Sequence, residues 1–356
     1  MLTPENLLFT TKFFTAFMLI LLVYISFVLY IRNRREKEKK RYIVKTNALI
    51  TRAIFFEDET DEVFSLKINR RITELLRKPR FRQTLITELV TSSNDLAGVA
   101  AENLSKLYKQ LKLHEDSEKN LRNSRWHEKA RAIRQLAIMR VDELAPTLYN
   151  LTNHKNEHIR MEAQTSIVKF RGFEGLTFLN SIKYPITEWH QLNLLKELSN
   201  LPAEDFKGIE NWLKSSNDTV IIFALKLCAS YHQFNQYDRI VECLKHVNPK
   251  VRLQAINCLK EIYEDTTSLQ LINIYAWEPK THQLAILKAL KEIAAPDSIS
   301  FLEKQLTSED NQIVIAATRA IYNCGTEGQD VLLEHPSAPS YPLKQIISQV
   351  KMESVK

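Results

Sequence analysis

The feature that most restricts how this 356-residue chain can fold is a repeat. From about residue 123 a short pattern returns roughly every thirty-one residues: a helix-capping residue, an apolar residue, then alanine four positions later. Asn248, Pro249, Val251 and Ala255 serve as its template. Asn156, Ile159 and Ala163 match it, as do Asn217, Val220 and Ala224, and Asp310, Ile313 and Ala317. Asn123, Trp126 and Ala130 form an earlier copy, and Pro279 with Ala285 a later one whose cap is the poor Glu278. The weakest copy begins at Thr187, with Leu194 in the alanine column. The column Ala130, Ala163, Leu194, Ala224, Ala255, Ala285, Ala317 is spaced by 33, 31, 30, 31, 30 and 32 residues. Prolines follow the same rhythm, because Pro185 and Pro279, like Pro202 and Pro296, are 94 residues apart, and equivalent turns are expected to receive the same rigid residue.

Each repeat reads as two helices. In the fifth, Val251, Ala255, Leu259 and Ile262 fall at i, i+4, i+8 and i+11, one apolar stripe, and a second helix follows the turn from Glu264 to Ser268. Alanine in the column lets neighbouring helices approach closely. Only six glycines occur in the chain, against roughly 7% in ordinary proteins, too few for a many-stranded sheet or a glycine-rich phosphate loop. The fold class is therefore all-α: an α-solenoid of about seven degenerate helix pairs over residues 123–330.

The segments N-P-K-V-R-L-Q-A (Asn248 to Ala255) and N-E-H-I-R-M-E-A (Asn156 to Ala163) resemble the HEAT-repeat family. The resemblance implies stacked HEAT-type helix pairs that present an extended surface to other proteins, here through the second helices. The third repeat departs from it by lacking the alanine. The arginine position of Arg160 and Arg252 is filled elsewhere by His127, Gln191, Ile221, His282 and Val314.

Phe13 to Ile31 is a run of nineteen residues without a charge. At ~1.5 Å per residue a helix of that length crosses the ~30 Å hydrocarbon layer of a bilayer, so the run predicts one N-terminal transmembrane helix. The competing readings are a buried core helix and a cleaved signal peptide, but the run is long for a signal core and lacks a small-residue cleavage site. Arg32 to Arg41 follows with seven bases against two acids, which accounts for five of the chain's net charge of +7. Positive charge is retained on the cytoplasmic side, so residues 1–12 are expected outside and the body in the cytoplasm. Four cysteines without a C-x-x-C pair fit that reducing compartment. The basic segment stops transfer and fixes topology; Arg32, Arg34, Arg35, Lys37, Lys39, Lys40 and Arg41 are also the candidate contacts with lipid headgroups.

The expected organisation is a spanning helix over 13–31, a basic juxtamembrane segment over 32–41, and a helical N-terminal cap region over 42–122. The repeats follow over 123–330, with a C-terminal cap or tail over 331–356. Two charge runs lie in the cap region, acidic Glu57 to Glu62 and basic Lys67 to Arg82, and are expected to compensate each other rather than to bind an anion.

No catalytic residue, cofactor site or metal site is assigned. His154, Glu157 and His158 have the H-x-x-E-H spacing of a zinc protease class, but the repeat register places the helix cap at Asn156, between the two histidines. Cys228, Cys243 and Cys258 are spaced by fifteen residues, half a repeat, which puts them on successive helices as small apolar fillers. Trp126 and Trp189 are read as packing between repeats. His127, His190, His232, His246 and His282 show no pairing that would make one a general base.

The expected function is a membrane-tethered scaffold for a protein partner, not an enzyme. Its similarity to bacterial single-pass HEAT proteins implies a membrane enzyme such as a glycosyltransferase as partner. The alternative that the resemblance leaves is an enzyme on the same fold, either a DNA glycosylase with a basic channel or a phycobilin lyase. Net charge over residues 123–356 is near zero, so no nucleic-acid partner is expected.

Overall fold

The computed structural model describes residues 4–56, 64–199, 201 and 207–353, with side chains from residue 12. The acidic run Glu57 to Glu62 and Pro202 lie outside the described residues. Among the described residues every regular element is helical. The chain forms two compact units, Met1–Leu148 with Asn156–Ser166, and Tyr149–Lys155 with Ile167–Lys356.

The first unit is built on a single helix, Pro4–Ile54, that changes character along its length. Its most apolar stretch has a mean hydropathy of 2.5 and none of it is buried. By length and composition this helix is able to cross a membrane. The same helix then runs through the basic segment without a break. From Tyr42 onward it is one-sided: Tyr42, Thr46, Leu49, Ile50 and Ala53 are buried at i, i+4, i+7, i+8 and i+11. Phe81, Leu85, Ile86 and Leu89 of helix Pro79–Asn94 and Leu104, Leu107 and Tyr108 of helix Val99–Gln110 complete that core. A buried hydrogen-bond chain ties it to helix Trp126–Ile138: the Tyr108 hydroxyl donates to Ser117 at 2.8 Å, and Ser117 to Gln135 at 2.9 Å. Tyr108, Ser117 and Gln135 are thereby partnered inside this core, which removes the cost of burying them.

The second unit is a run of helix pairs. Its longer helices are Glu188–Leu198, Asp218–Ser230, Pro249–Leu259, Lys280–Ile293 and Asn311–Asn323. Side-chain oxygens of Asn217, Asn248 and Asp310 cap three of them, accepting from the backbone N–H two residues on at 2.9 to 3.1 Å. The companion helices are shorter, from four residues at Ile209–Trp212 to ten at Gly325–Glu334. After Arg171 the companion is a run of 3₁₀ turns, Gly172–Asn180. There Gly175 is required, since a Cβ would stand 2.6 Å from the carbonyl oxygen of Ile167.

Burial corrects the repeat register in two copies. Ala130 and Ala285 are half-buried, whereas Ala132 and Ile286 are fully buried. The core column is Ala132, Ala163, Leu194, Ala224, Ala255, Ile286 and Ala317, spaced by 31 residues with one step of 30. Ala130 and Ala285 are the alanines nearest the expected register, but the position selects for burial against the next helix and accepts leucine or isoleucine. Pro279 stands at the N-cap itself, while Pro185 lies two residues before its equivalent, Thr187, so the 94-residue spacing does not mark equivalent positions.

Candidate functional site

In the second unit, helices Lys280–Ile293, Asn311–Asn323 and Leu343–Glu353 enclose an open groove of about 590 Å³. Leu284, Ala316, Tyr322 and Val350 supply its apolar surface, and Lys288, Lys291 and Arg319 its positive charge. Among the described residues Glu353 is the one carboxylate in the lining, and it is already engaged. Arg319 donates to it through two nitrogens at 2.9 and 2.8 Å, and Gln349 adds a third bond at 2.8 Å. These bonds, with that of Arg319 foremost, hold the Glu353 carboxyl down to about 2, so it stays ionised and paired at neutral pH. Lys288 and Lys291 add further positive charge, Lys291 bonding Glu292 at 3.4 Å and acting on the Glu353 carboxylate as well. The groove lies on the side of the longer first helices, whereas the expected binding face was that of the second helices. The C-terminal helix packs against Asn311–Asn323 and supplies the far wall, which no repeat pattern announces.

The wall helix Lys280–Ile293 is anchored by a buried charge network. Arg252 donates to Glu278 at 2.5 and 3.2 Å, and to the carbonyls of His246 and Val247 at 2.9 and 3.1 Å. His282 Nδ1 lies 2.5 Å from the same carboxylate. Burial pushes the Glu278 carboxyl up, but the bonds from Arg252 and His282 outweigh it and leave it below the ordinary carboxylate value. Glu278 is therefore not a helix cap, as the sequence reading had it, and His282 does have a partner. The Arg252 pairing is invisible to repeat alignment because it crosses from one repeat into the next, whereas His282 stands only four residues after Glu278. The residues beside this brace are apolar and exposed, Val247 at 93% and Trp277 at 88%.

The other sequence candidates resolve individually. Trp126 stacks on His158 with ring centroids 4.5 Å apart, a contact from one repeat to the next. Trp189 is 68% exposed and is not packing between repeats, a correction that follows from its place in the first turn of its helix, outside the buried column. His154 has extended backbone and precedes helix Glu157–Arg171, whose first turn carries His158. Among the described residues, no group of three metal-ligating side chains comes together. Cys228, Cys243 and Cys258 are buried on successive helices. Burial raises the first two thiols to about 12 and about 11, and the third well above its ordinary value. At neutral pH these three are expected to resist alkylation in the folded protein while the partly buried Cys324 reacts slowly. Intact mass after iodoacetamide treatment, with and without denaturant, measures this; four modified thiols in the native state would contradict the packing.

The candidate lipid contacts Arg32, Arg34, Arg35, Lys37, Lys39, Lys40 and Arg41 are all exposed on the continuous helix. Glu38, among them, accepts from the Tyr42 hydroxyl at 2.6 Å and from Arg80 at 3.2 Å. Those bonds, the tyrosine's first, lower its carboxyl below the ordinary range.

The family model described as HEAT repeats matches residues 237–321. No curated protein matches the chain. Among solved structures, an engineered protein is similar at 17% identity, over 79% of this chain and 87% of that one, with a TM-score of 0.41. Kap121p bound to Pho4p is similar at 13% identity over 85% of this chain, which spans 36% of Kap121p, with a TM-score of 0.33. The CpcE and CpcF complex of phycocyanin lyase from Nostoc is similar at 12% identity, over 83% of this chain and 99% of that one, with a TM-score of 0.27.

Proposed function

We propose that this chain, whose residues 237–321 match the HEAT-repeat model, is a membrane-tethered scaffold that holds another protein at the cytoplasmic face. The helix through Phe13 to Ile31 spans the bilayer, and the bases of Arg32 to Arg41 keep the repeats on the cytoplasmic side. Exposure of the whole apolar stretch supports this reading, since a core helix of a soluble protein buries such a surface.

The observation that carries the binding role is the groove beside the C-terminal helix. An apolar floor under two lysines, with its carboxylate already held by Arg319, complements an extended partner segment that carries both apolar and acidic side chains. The partner is a protein of the same membrane, with an enzyme of the glycosyltransferase kind as the class to look for first. Sharing a membrane raises the effective concentration of the two and allows a modest groove to suffice.

Crosslinking in intact membranes followed by affinity purification tests this. Three chains are compared: the full protein, a version lacking residues 1–41, and the charge reversal Lys288→Glu with Lys291→Glu. The core of the first unit begins at Tyr42, so the shortened chain retains it. The expected result is one integral-membrane protein recovered with the full chain and several-fold less with each variant. Equal recovery of one soluble protein by all three would dismiss both tether and groove.

A further inference from the structure

In the sequence the two basic runs, Arg32 to Arg41 and Lys67 to Arg82, are separated by twenty-five residues. The fold brings the second back to the first. Arg80 bonds Glu38 at 3.2 Å, and the rings of Phe81 and Tyr42 meet edge to face with centroids 5.3 Å apart. The charges of Arg80 and Lys78 both act on the Glu38 carboxylate. Arg82 turns inward to Asp116 and the carbonyls of Leu111 and Lys112, whereas Arg77, Lys78 and Arg80 are exposed. Of the seven bases in the second run, Arg82 is thus structural, while Arg77, Lys78 and Arg80 form the exposed group at the end that returns to the juxtamembrane bases.

The height of that group above a membrane follows from helix geometry. Glu38 comes seven residues after Ile31, the end of the charge-free run, and the helix between them is continuous. At ~1.5 Å per residue the separation is about 10 Å along the helix axis. A headgroup layer is ~5–7 Å thick, and the Debye length at physiological salt is ~8 Å. The displayed bases therefore stand within one screening length of the lipid phosphates.

We propose that Arg77, Lys78 and Arg80 join Arg32 to Arg41 in a single collar that binds anionic phospholipid at the cytoplasmic leaflet, so that the first unit is seated on the bilayer by two contacts remote in sequence. This rests on the reading that the helix spans the membrane. Topology does not require the second contact, because orientation is set by charges within ~15–20 residues of the span and these three lie far beyond. The placement of Lys78 and Arg80 beside Glu38 is a property of the fold, and its consequence is a fixed seating of the unit. A swinging tether would need a flexible joint after the span, and the helix continues instead into the core at Tyr42, Leu49 and Ile50.

The test uses the full chain reconstituted into vesicles of phosphatidylcholine alone or with phosphatidylserine added. The rate at which an amine reagent labels Lys78 is read by mass spectrometry, with Lys288 of the second unit as internal reference. Labelling of Lys78 relative to Lys288 is expected to slow about fivefold in the anionic vesicles, the factor equivalent to about 1 kcal/mol per base, and to recover at high salt. An unchanged ratio in protein that withstands alkaline carbonate extraction would overturn the collar and leave the span standing. Protein stripped from the vesicles by carbonate would overturn the span, and the collar with it.

Discussion

Glu278→Ala is expected to destabilise the second unit by about 3 kcal/mol, because it leaves the Arg252 guanidinium facing a buried gap beside His282. The pair is strong only in company: a buried charge without its partner costs several kcal/mol, while an apolar replacement of both partners is often close to neutral. Arg252→Met combined with Glu278→Leu should therefore recover part of the loss, the remainder reflecting buried His282, which still lacks its carboxylate partner. Urea denaturation of the wild type, both single variants and the double variant measures the coupling. A Glu278→Ala midpoint equal to that of the wild type would show that the network contributes nothing. The pH dependence has a definite sign. The folded carboxyl titrates below its ordinary value of 4.5, so its contribution is present above the unfolded value and is lost as pH falls through the folded one. The gap between wild type and Glu278→Gln should accordingly narrow below about pH 4. Helix Lys280–Ile293 carries Leu284, Lys288 and Lys291, so loosening this brace should also weaken partner capture at the groove.

Gly328→Ala is the second large effect. A Cβ at this position would fall on the carbonyl oxygen of Ile321, in the helix that carries Ala316, Arg319 and Tyr322 of the groove. Backbone cannot yield as a side-chain end can, so helix Gly325–Glu334 must move away from Asn311–Asn323, at a cost of about 2–3 kcal/mol. Chemical denaturation gives the stability, and recovery of the crosslinked partner reports on the groove. Full stability in Gly328→Ala would mean that the two helices do not approach as closely as described.

Much of the architecture was legible in one dimension. A charge-free stretch has few ways to meet water, and a period near thirty-one residues with capping residues at its start is the mark of stacked helix pairs. Asn217, Asn248 and Asp310 were recognised as caps because capping is a local interaction, completed within three residues. The register failed at Ala130 and Ala285, where composition suggested alanine and burial chose Ala132 and Ile286. The same limit applies to Trp189, whose size argues for the core and whose place in the turn leaves it exposed.

The site was legible in smaller part. Nothing in the order of residues joins Arg252 to Glu278, Arg319 to Glu353, or Arg80 to Glu38, since these partners are 26, 34 and 42 positions apart. Charge pairing depends on a few ångströms, while the repeat pattern sets only which side of a helix faces inward. Hydrophobic periodicity is a sum over many weakly constrained positions, so the sequence alone determined the helical class, the repeat and the apolar helix that precedes it. Packing decided the rest: which alanines are in the core, where the groove opens, and that a basic run folds back beside the end of the apolar stretch. Those outcomes rest on single contacts between residues far apart in the chain, and such contacts exist only once the helices have met.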